Sequence, residues 1–127
     1  MTAQAETLHL ISSFLAARQD ISADATPWMD EGFRFESPMM TFDDRHAYLL
    51  SHRSFQRLVT RMTMISELYG PDEAVLVYDL ETTTPAGVQR TAEHFKVVRG
   101  KVAKIILIFD SAPWRPIFEH LRASATT

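Results

Sequence analysis

Residues 88–109 read VQRTAEHFKVVRGKVAKIILIF, and this stretch decides the fold. Both of its halves, 88–98 and 101–109, are rich in β-branched and aromatic residues, which favour extended strands. Arg99-Gly100 separates the two halves, and glycine readily supplies the positive φ angle that a two-residue hairpin turn needs. The stretch therefore predicts two long antiparallel strands that are joined by a tight turn.

The sequence before this hairpin supplies two more strands. Residues 74–83 form one of them, which Pro85-Ala86-Gly87 separates from the hairpin. The other begins at Leu58, where β-branched residues become frequent, and ends at Gly70-Pro71-Asp72. Because the connections are too short for helical crossovers, we expect these late strands to pair antiparallel.

Helical patterns concentrate in the first half of the chain. A stripe of apolar residues around Ile11 predicts a first helix, and Asp43 or Asp44 caps another that runs to about Phe55. We also expect three shorter elements: a helix at 27–31, a strand at 33–37 and a terminal helix or turn at 113–121. This order predicts an α+β fold with helices packed on one face of a curved, mostly antiparallel sheet.

Length and composition limit what the chain can be. With 127 residues, 46% of them hydrophobic and 23% charged, it has the size and composition of one globular domain over residues 1–127. A net charge of −3 argues against binding to nucleic acid or to anionic membranes. The absence of cysteine excludes disulfides and thiolate metal sites, and it fits a reducing compartment.

We expect neither a membrane segment nor a cofactor. The longest nearly pure apolar run, 105–109, is far shorter than a membrane span, and the N-terminal segment lacks the basic start of a signal peptide. The glycines are too scattered for a phosphate-binding loop, and the histidines lack zinc-type spacing. The sequence thus predicts a cytoplasmic protein without a metal or a cofactor.

Several short segments, taken in order, resemble one known superfamily. They are Phe35-Glu36-Ser37-Pro38, AEHFKV at 92–97, Gly100-Lys101-Val102, and ILIFD at 106–110 followed by Pro113-Trp114. Together they resemble the nuclear transport factor 2-like (NTF2-like) superfamily, in particular its SnoaL-like branch, along essentially the whole chain. The resemblance implies a cystatin-like cone whose sheet wraps around an apolar pocket. Members include isomerases, hydrolases, cyclases, dehydratases and modules that only bind or assemble, so the fold does not fix the function.

The resemblance allows the known catalytic sets to be sought residue by residue. In the isomerase-like set, Ser37 and Phe14 replace the base and the tyrosine, while Glu93 matches the acid. In the epoxide-hydrolase-like set only Asp79 matches. The cyclase-like set has His94 and Asp110 as its candidates, in an uncertain register. The match to each set that we tested is therefore incomplete.

Strand alternation predicts which of these side chains face inward. Glu93 shares a face with Thr91 and Phe95, whereas His94 faces the opposite side. Asp79 lies between apolar neighbours, where a charge needs a partner or a function, and we assign it to the pocket. The two carboxylates would then form a pair, with Asp79 as the base and Glu93 as a protonated acid that donates to a ligand oxygen.

Two functions stay open at this point. In the first, the protein binds an apolar, carbonyl-bearing compound in a pocket between the first helix and the sheet. The ligand-binding residues would be Phe14, Trp28, Phe33, Phe35, Ser37, Met39 and Phe95. In the alternative, the protein is an isomerase-, hydrolase- or cyclase-type enzyme that uses Asp79 and Glu93.

The late strands also predict an assembly. Residues 74–83 and 101–109 carry apolar side chains on both faces of the sheet. Since one layer of helices covers only one face, the other face needs a partner. We therefore expect a homodimer that forms through the sheet, as the resemblance also implies.

Overall fold

The computed structural model describes residues 2–126, and its elements follow the predicted order. Within this range the helices are α1 (Ala3–Gln19), α2 (Arg45–Gln56) and α3 (Arg115–Thr126). The strands are β1 (Met29–Glu36), β2 (Thr41–Phe42), β3 (Val59–Tyr69), β4 (Glu73–Thr82), β5 (Val88–Val98) and β6 (Lys101–Ile108). This is the α+β composition that the sequence predicts.

The strands form one sheet in the order β2-β1-β6-β5-β4-β3. All neighbours pair antiparallel except β1 and β6, which are parallel. Register shifts interrupt the pairing of β3 with β4, of β5 with β6 and of β1 with β6. Such bulges increase the local twist of a sheet and bend it. The curved, mostly antiparallel sheet of the sequence prediction is confirmed.

The hairpin between β5 and β6 has the predicted two-residue turn. Val98 pairs with Lys101, and the two residues between them both have a positive φ angle. The angle is 49° at Arg99 and 73° at Gly100. Positive φ at both central positions gives the turn the same twist as its strands, which explains why the strands continue without a longer loop.

Two shorter elements differ from their predictions. Residues 27–31 do not form a second helix: a single 3-10 turn covers Thr26–Trp28, and β1 begins directly at Met29. Met29 pairs with Val102 on β6, so strand pairing replaces the helix that the local pattern favours. At the other end, α3 extends from Arg115 to Thr126 and is longer than predicted.

Helix α1 covers the inner face of the sheet. Its buried face runs through Ile11, Phe14 and Arg18, which follow one another at helical spacing. Phe14 meets Phe95 of β5 edge-on, with 6.3 Å between the ring centroids. Both rings are fully buried, and each such side chain contributes roughly 1.5–3 kcal/mol to folding. The same buried face of α1 places the guanidinium group of Arg18 against the inner face of the sheet.

Candidate functional site

An open cavity of about 870 Å³ lies against the inner face of the sheet, between helices α2 and α3. Pockets of this size hold drug-sized ligands. Its wall is mainly apolar and includes Phe35, Met39, Met40, Phe42, Phe55, Leu58, Val59, Met62, Leu80, Leu107, Phe109, Trp114, Phe118 and Leu121. Its most buried polar side chains are Arg18, Tyr48, Tyr78, Thr91 and Glu93.

A buried ion pair between α1 and β5 is the central feature of this site. Nη1 of Arg18 lies 2.5 Å from Oε2 of Glu93, and Nη2 lies 3.2 Å from Oε1. Both side chains are almost fully buried, at 7% and 2% exposure. Burial is the largest single influence and disfavours the charge of the guanidinium, but Glu93, Tyr48 and Tyr78 together exceed it and raise the pKa of Arg18 well above its ordinary value. The pair is thus bidentate, charged and shielded from water.

Two tyrosines complete a hydrogen-bonded network around the pair. Tyr78 on β4 donates its hydroxyl hydrogen to Oε1 of Glu93 at 2.9 Å. Tyr48 on α2 accepts a hydrogen bond from Nη1 of Arg18 at 2.8 Å. Burial raises the pKa of Tyr48 to about 12, so its hydroxyl stays protonated at neutral pH. One positive charge faces one negative charge, and the network as a whole is neutral.

The geometry at Glu93 differs from the sequence expectation. Glu93 accepts three hydrogen bonds, from the two guanidinium nitrogens and from Tyr78. A carboxylate beside an arginine is favoured in its ionised form, which accepts hydrogen bonds but has no hydrogen to donate. All three contacts thus use Glu93 as an acceptor, whereas the sequence analysis expects it to donate to a ligand oxygen; its inward orientation agrees with the strand alternation.

His52 adds a further polar group to the cavity. It lies one helical turn after Tyr48 on α2, and the two ring centroids are 6.1 Å apart. Burial, together with the charges of Arg18 and Arg53, lowers the pKa of His52 to about 2. The ring is therefore neutral, with one nitrogen as donor and one as acceptor. Within residues 2–126, the structure records no hydrogen bond to either nitrogen.

The predicted pocket residues divide into two groups. Phe35, Ser37 and Met39 line the cavity. The others do not line it: Phe14, Phe33 and Phe95 are fully buried in the core, and Trp28 packs against that core. The cavity lies nearer to α2 and α3 than to the middle of α1, because α1 and the sheet pack directly on each other around Phe14 and Phe95.

The structure places Asp79 outside the cavity, which corrects its predicted orientation. On β4 the inward side chains are Leu76, Tyr78 and Leu80, all buried. Asp79 points to the outer face, where Nε and Nη2 of Arg90 donate to its carboxylate at 2.9 and 3.1 Å. That hydrogen-bonded pair lowers the pKa of Asp79. The two predicted catalytic carboxylates are therefore not brought together.

The two cyclase-type candidates also lie apart from the cavity lining. His94 pairs with Ile106 on the outer side of the sheet, and its Nε2 lies 3.5 Å from Oε2 of Glu73. Asp110 accepts a hydrogen bond from the backbone of Ala112 at 3.0 Å, in the turn before α3. His94 thus lies on the side of the sheet that strand alternation predicts, and Asp110 is a local cap of the turn.

The sequence prediction missed Arg18, Tyr48, His52 and Tyr78 as site residues. A signal for Arg18 was present, since it follows Ile11 by seven residues and Phe14 by four on the buried stripe of α1. Similarly, His52 follows Tyr48 by four residues and so shares its face of α2. Because side chains alternate along β4, placing Asp79 in the pocket puts Leu76, Tyr78 and Leu80 on the opposite face, so Tyr78 and Asp79 are misplaced for the same reason.

Residues 2–126 contain no group of three or more histidine, cysteine or acidic side chains that is placed to hold a metal ion. In the same range, none of the helices combines the length and the apolar character that crossing a bilayer requires.

Comparison with known proteins identifies the fold. No protein-family model and no curated protein matches the sequence. Among solved structures, an NTF2-like protein of unknown function from Cytophaga hutchinsonii matches with a TM-score of 0.68 and 18% identity, over 88% of this chain and 94% of that one. The chain has the NTF2-like fold.

Other solved structures that match this chain differ widely in origin. A protein from Kribbella flavida that is proposed to be a ketosteroid isomerase matches with a TM-score of 0.74 and 17% identity, over 88% of this chain and 83% of that one. A de novo designed protein with a curved β-sheet matches with a TM-score of 0.75 and 14% identity, over 94% of this chain and 97% of that one. At these identities the likeness concerns the fold alone, so the function must be argued from the site.

Proposed function

We propose that this protein is a single NTF2-like domain that binds a neutral, apolar small molecule carrying a carbonyl group. The observation that carries the proposal is the hydrogen bonding of the Tyr48 hydroxyl group. Its hydroxyl oxygen is occupied by Nη1 of Arg18, while residues 2–126 supply no recorded acceptor for its hydrogen. A carbonyl oxygen in the cavity is the group that this hydrogen would meet.

The arginine strengthens Tyr48 as a donor. A hydroxyl that accepts a hydrogen bond from a guanidinium is polarised, and its own hydrogen becomes a better donor in a medium of low dielectric constant. Glu93 and Tyr78 hold Arg18 in place at the other side of the network. A ligand in the cavity would therefore meet the hydroxyl of Tyr48 as one preorganised donor in a lining that is otherwise mainly apolar.

The charge balance favours a neutral ligand. Glu93 already neutralises Arg18, and Glu81 lies 3.7 Å from Arg61, the other arginine of the lining. Neither His52 nor Tyr48 carries a charge at neutral pH. A charged ligand would lose its hydration without meeting an opposite charge that is free to pair with it, and this desolvation costs several kcal/mol. Desolvation of a neutral ketone or aldehyde costs much less free energy.

An enzymatic function is the second candidate, and it has less support. The predicted isomerase-, hydrolase- or cyclase-type mechanism needs Asp79 as base and Glu93 as acid in one space, but their side chains point to opposite faces of the sheet. His52 lines the cavity, yet an imidazole with a pKa of about 2 is a weak proton acceptor at neutral pH. Binding is favoured over catalysis for this reason.

We also propose that two copies assemble through the outer face of the sheet. Apolar side chains are exposed there, including Leu68 at 65% and Ile108 at 56%. A two-fold axis would place this patch against its own copy and bury both. Ile106→Asp, in the middle of the face, should convert the dimer into a monomer in sedimentation velocity; a monomeric unmodified protein would contradict the proposal.

The ligand proposal is tested with a matched pair of probes, 2-acetylnaphthalene and 2-ethylnaphthalene, which differ in the carbonyl group. Tyr48→Phe should weaken binding of the acetyl compound about five- to tenfold, the worth of one hydrogen bond, and leave the ethyl compound unchanged. Tyr69→Phe removes a hydroxyl that bonds Glu67 outside the cavity and serves as the matched control. Calorimetric or fluorescence titration gives the affinities, and thermal unfolding checks that each variant folds.

Two results would contradict the proposal. One is the absence of saturable binding of 2-acetylnaphthalene to the folded protein. The other is an equal loss of affinity for both probes in Tyr48→Phe, because a carbonyl-specific hydrogen bond cannot affect a probe without a carbonyl.

A further inference from the structure

Most of the polar side chains that line the cavity already donate their hydrogen atoms to partners within the protein. Ser51 donates to the sulfur of Met40, and other donors bond backbone carbonyls. These others include Ser37 to Met40, Gln56 to Gln19, Gln89 to Ala86, Thr91 to Gln89, Ser54 to Leu50 and Thr60 to Glu81. Such groups hold the wall together, and a ligand would have to compete with existing bonds to use them as donors.

His52 differs from these groups. It lines the cavity, and the structure records no hydrogen bond to either of its ring nitrogens from residues 2–126. Its ring is neutral, so one nitrogen is an acceptor and the other a donor. The buried polar atoms without a partner in the described residues are Nε of Arg18 and Oε1 of Gln56, so the nitrogens of His52 are open to the cavity instead of enclosed in the core. A ligand hydroxyl can therefore reach them without displacing a hydrogen bond of the protein.

The position of His52 relates it directly to Tyr48. Both side chains project from the same face of α2, one turn apart, with 6.1 Å between the ring centroids. Tyr48 offers a hydrogen, and the unprotonated nitrogen of His52 offers an acceptor. The two groups therefore form a fixed two-point pattern of one donor and one acceptor on a single rigid helix.

From this pattern we propose that the ligand is a hydroxy-carbonyl compound, whose carbonyl accepts from Tyr48 and whose hydroxyl donates to a ring nitrogen of His52. This inference rests on the proposed carbonyl-binding function and makes its ligand class more specific. A hydroxyl satisfies the imidazole without bringing a charge into the cavity. An ammonium group would also donate, but it would carry a positive charge towards Arg18 and Arg53, the two cations that already act on His52.

The test compares 2-acetylnaphthalene with its 5-, 6-, 7- and 8-hydroxy derivatives, which present the hydroxyl at different distances from the carbonyl. At least one isomer should bind the unmodified protein about tenfold more tightly than the parent ketone, which corresponds to one additional hydrogen bond. His52→Phe keeps an aromatic ring beside Tyr48 and should abolish that gain, so that the hydroxylated isomer and the parent ketone bind this variant with about the same affinity.

Two variants control this comparison. His46→Phe makes the same change on the same helix, at an exposed position outside the cavity lining, and should retain the gain. His52→Gln retains an acceptor oxygen and should keep part of it. If the gain depends on the acceptor, His52→Gln keeps part of it and His52→Phe loses it. A packing defect at this position would instead change the binding of the parent ketone as well.

The outcomes separate this inference from the proposed function. If 2-acetylnaphthalene binds with the expected dependence on Tyr48, but no hydroxylated isomer binds more tightly, the inference is overturned and the carbonyl proposal stands. A gain that persists in His52→Phe overturns it as well. If the parent ketone shows no binding that depends on Tyr48, the proposed function fails and this inference fails with it.

Discussion

Two arginine–carboxylate pairs link neighbouring elements of this protein, one on each face of the same sheet. Arg18 and Glu93 meet on the inner face, and Arg90 and Asp79 meet on the outer face. Both pairs are joined by two hydrogen bonds. Their surroundings differ: the arginine side chain is 7% exposed in the inner pair and 70% exposed in the outer pair.

The comparison teaches that the same chemistry serves different purposes on the two faces. The outer pair lies at the edge of the proposed dimer face, where β5 extends past its pairing with β6, so water still solvates it and its members lose little when they separate. The inner pair has no such alternative, and removal of one member leaves a buried charge without a partner. Only the inner pair connects to groups that line the cavity, through Tyr48 and Tyr78. We therefore interpret the inner pair as the support of a binding site and the outer pair as a surface contact.

The largest expected effect comes from breaking the inner pair. Arg18→Leu should lower the free energy of unfolding by about 3–5 kcal/mol, because Glu93 remains buried and unpaired. The double variant Arg18→Leu with Glu93→Leu should recover a substantial part of this loss. Urea denaturation of both variants measures the difference, and Arg90→Leu is the matched control, for which we expect no resolvable change. Equal losses in Arg18→Leu and Arg90→Leu would remove the distinction between the faces.

A smaller effect concerns the pH dependence of stability. The pKa of His52 is about 2 in the folded protein and near 6.5 in the unfolded chain, so only the unfolded chain takes up this proton as the pH falls below 6.5. His52 therefore contributes a loss of stability of about 1.4 kcal/mol for each pH unit below 6.5. His52→Phe should remove this contribution, and its stability should fall less steeply with acid than that of the unmodified protein.

The control for this slope is His46→Phe, which changes an exposed histidine on the same helix. Denaturant unfolding at several pH values between neutrality and mild acid measures the three proteins. Parallel profiles for the unmodified protein and His52→Phe would show that His52 can be protonated in the folded state, and they would contradict the electrostatic description of the cavity.

The smallest effect is expected on the outer face. The hydrogen bond from Arg90 lowers the pKa of Asp79, so this carboxylate stabilises the fold above its unfolded pKa of 3.8 and loses that contribution as the pH falls through its folded value. Asp79→Asn should thus differ little from the unmodified protein at neutral pH, and the difference should vanish in strong acid. Binding of 2-acetylnaphthalene should not change. A large loss of affinity in Asp79→Asn would return Asp79 to the list of site residues.

The sequence predicts the sheet well because its signals there are redundant. The turn at Arg99-Gly100 and the alternation around Glu93 each point to the same register, and the structure agrees with both. β4 gives no such signal. Val75 and Val77 on one face are as apolar as Leu76 and Leu80 on the other, so alternation alone cannot assign Tyr78 and Asp79 to a side. Only the packing of α1 against the sheet distinguishes the two faces.

The buried polar groups of the site around Arg18 and Glu93 are harder to predict for a different reason. An arginine in the last turn of a helix is typical of a solvated helix end, where it also interacts favourably with the helix dipole. Arg18 is buried instead because Glu93, 75 residues later, is placed opposite to it. A long-range pair of this kind leaves no local pattern, and the roles of Tyr48 and His52 depend on it.

The account depends most on the hydrogen bond between Tyr48 and the ligand carbonyl. Isotope-edited infrared spectroscopy of 2-acetylnaphthalene, labelled with carbon-13 at the carbonyl, reports on this bond directly. We predict that the carbonyl stretch of the bound ketone lies at a lower frequency in the unmodified protein than in Tyr48→Phe, where it should approach its value in an apolar solvent. The same frequency in both proteins would contradict the account.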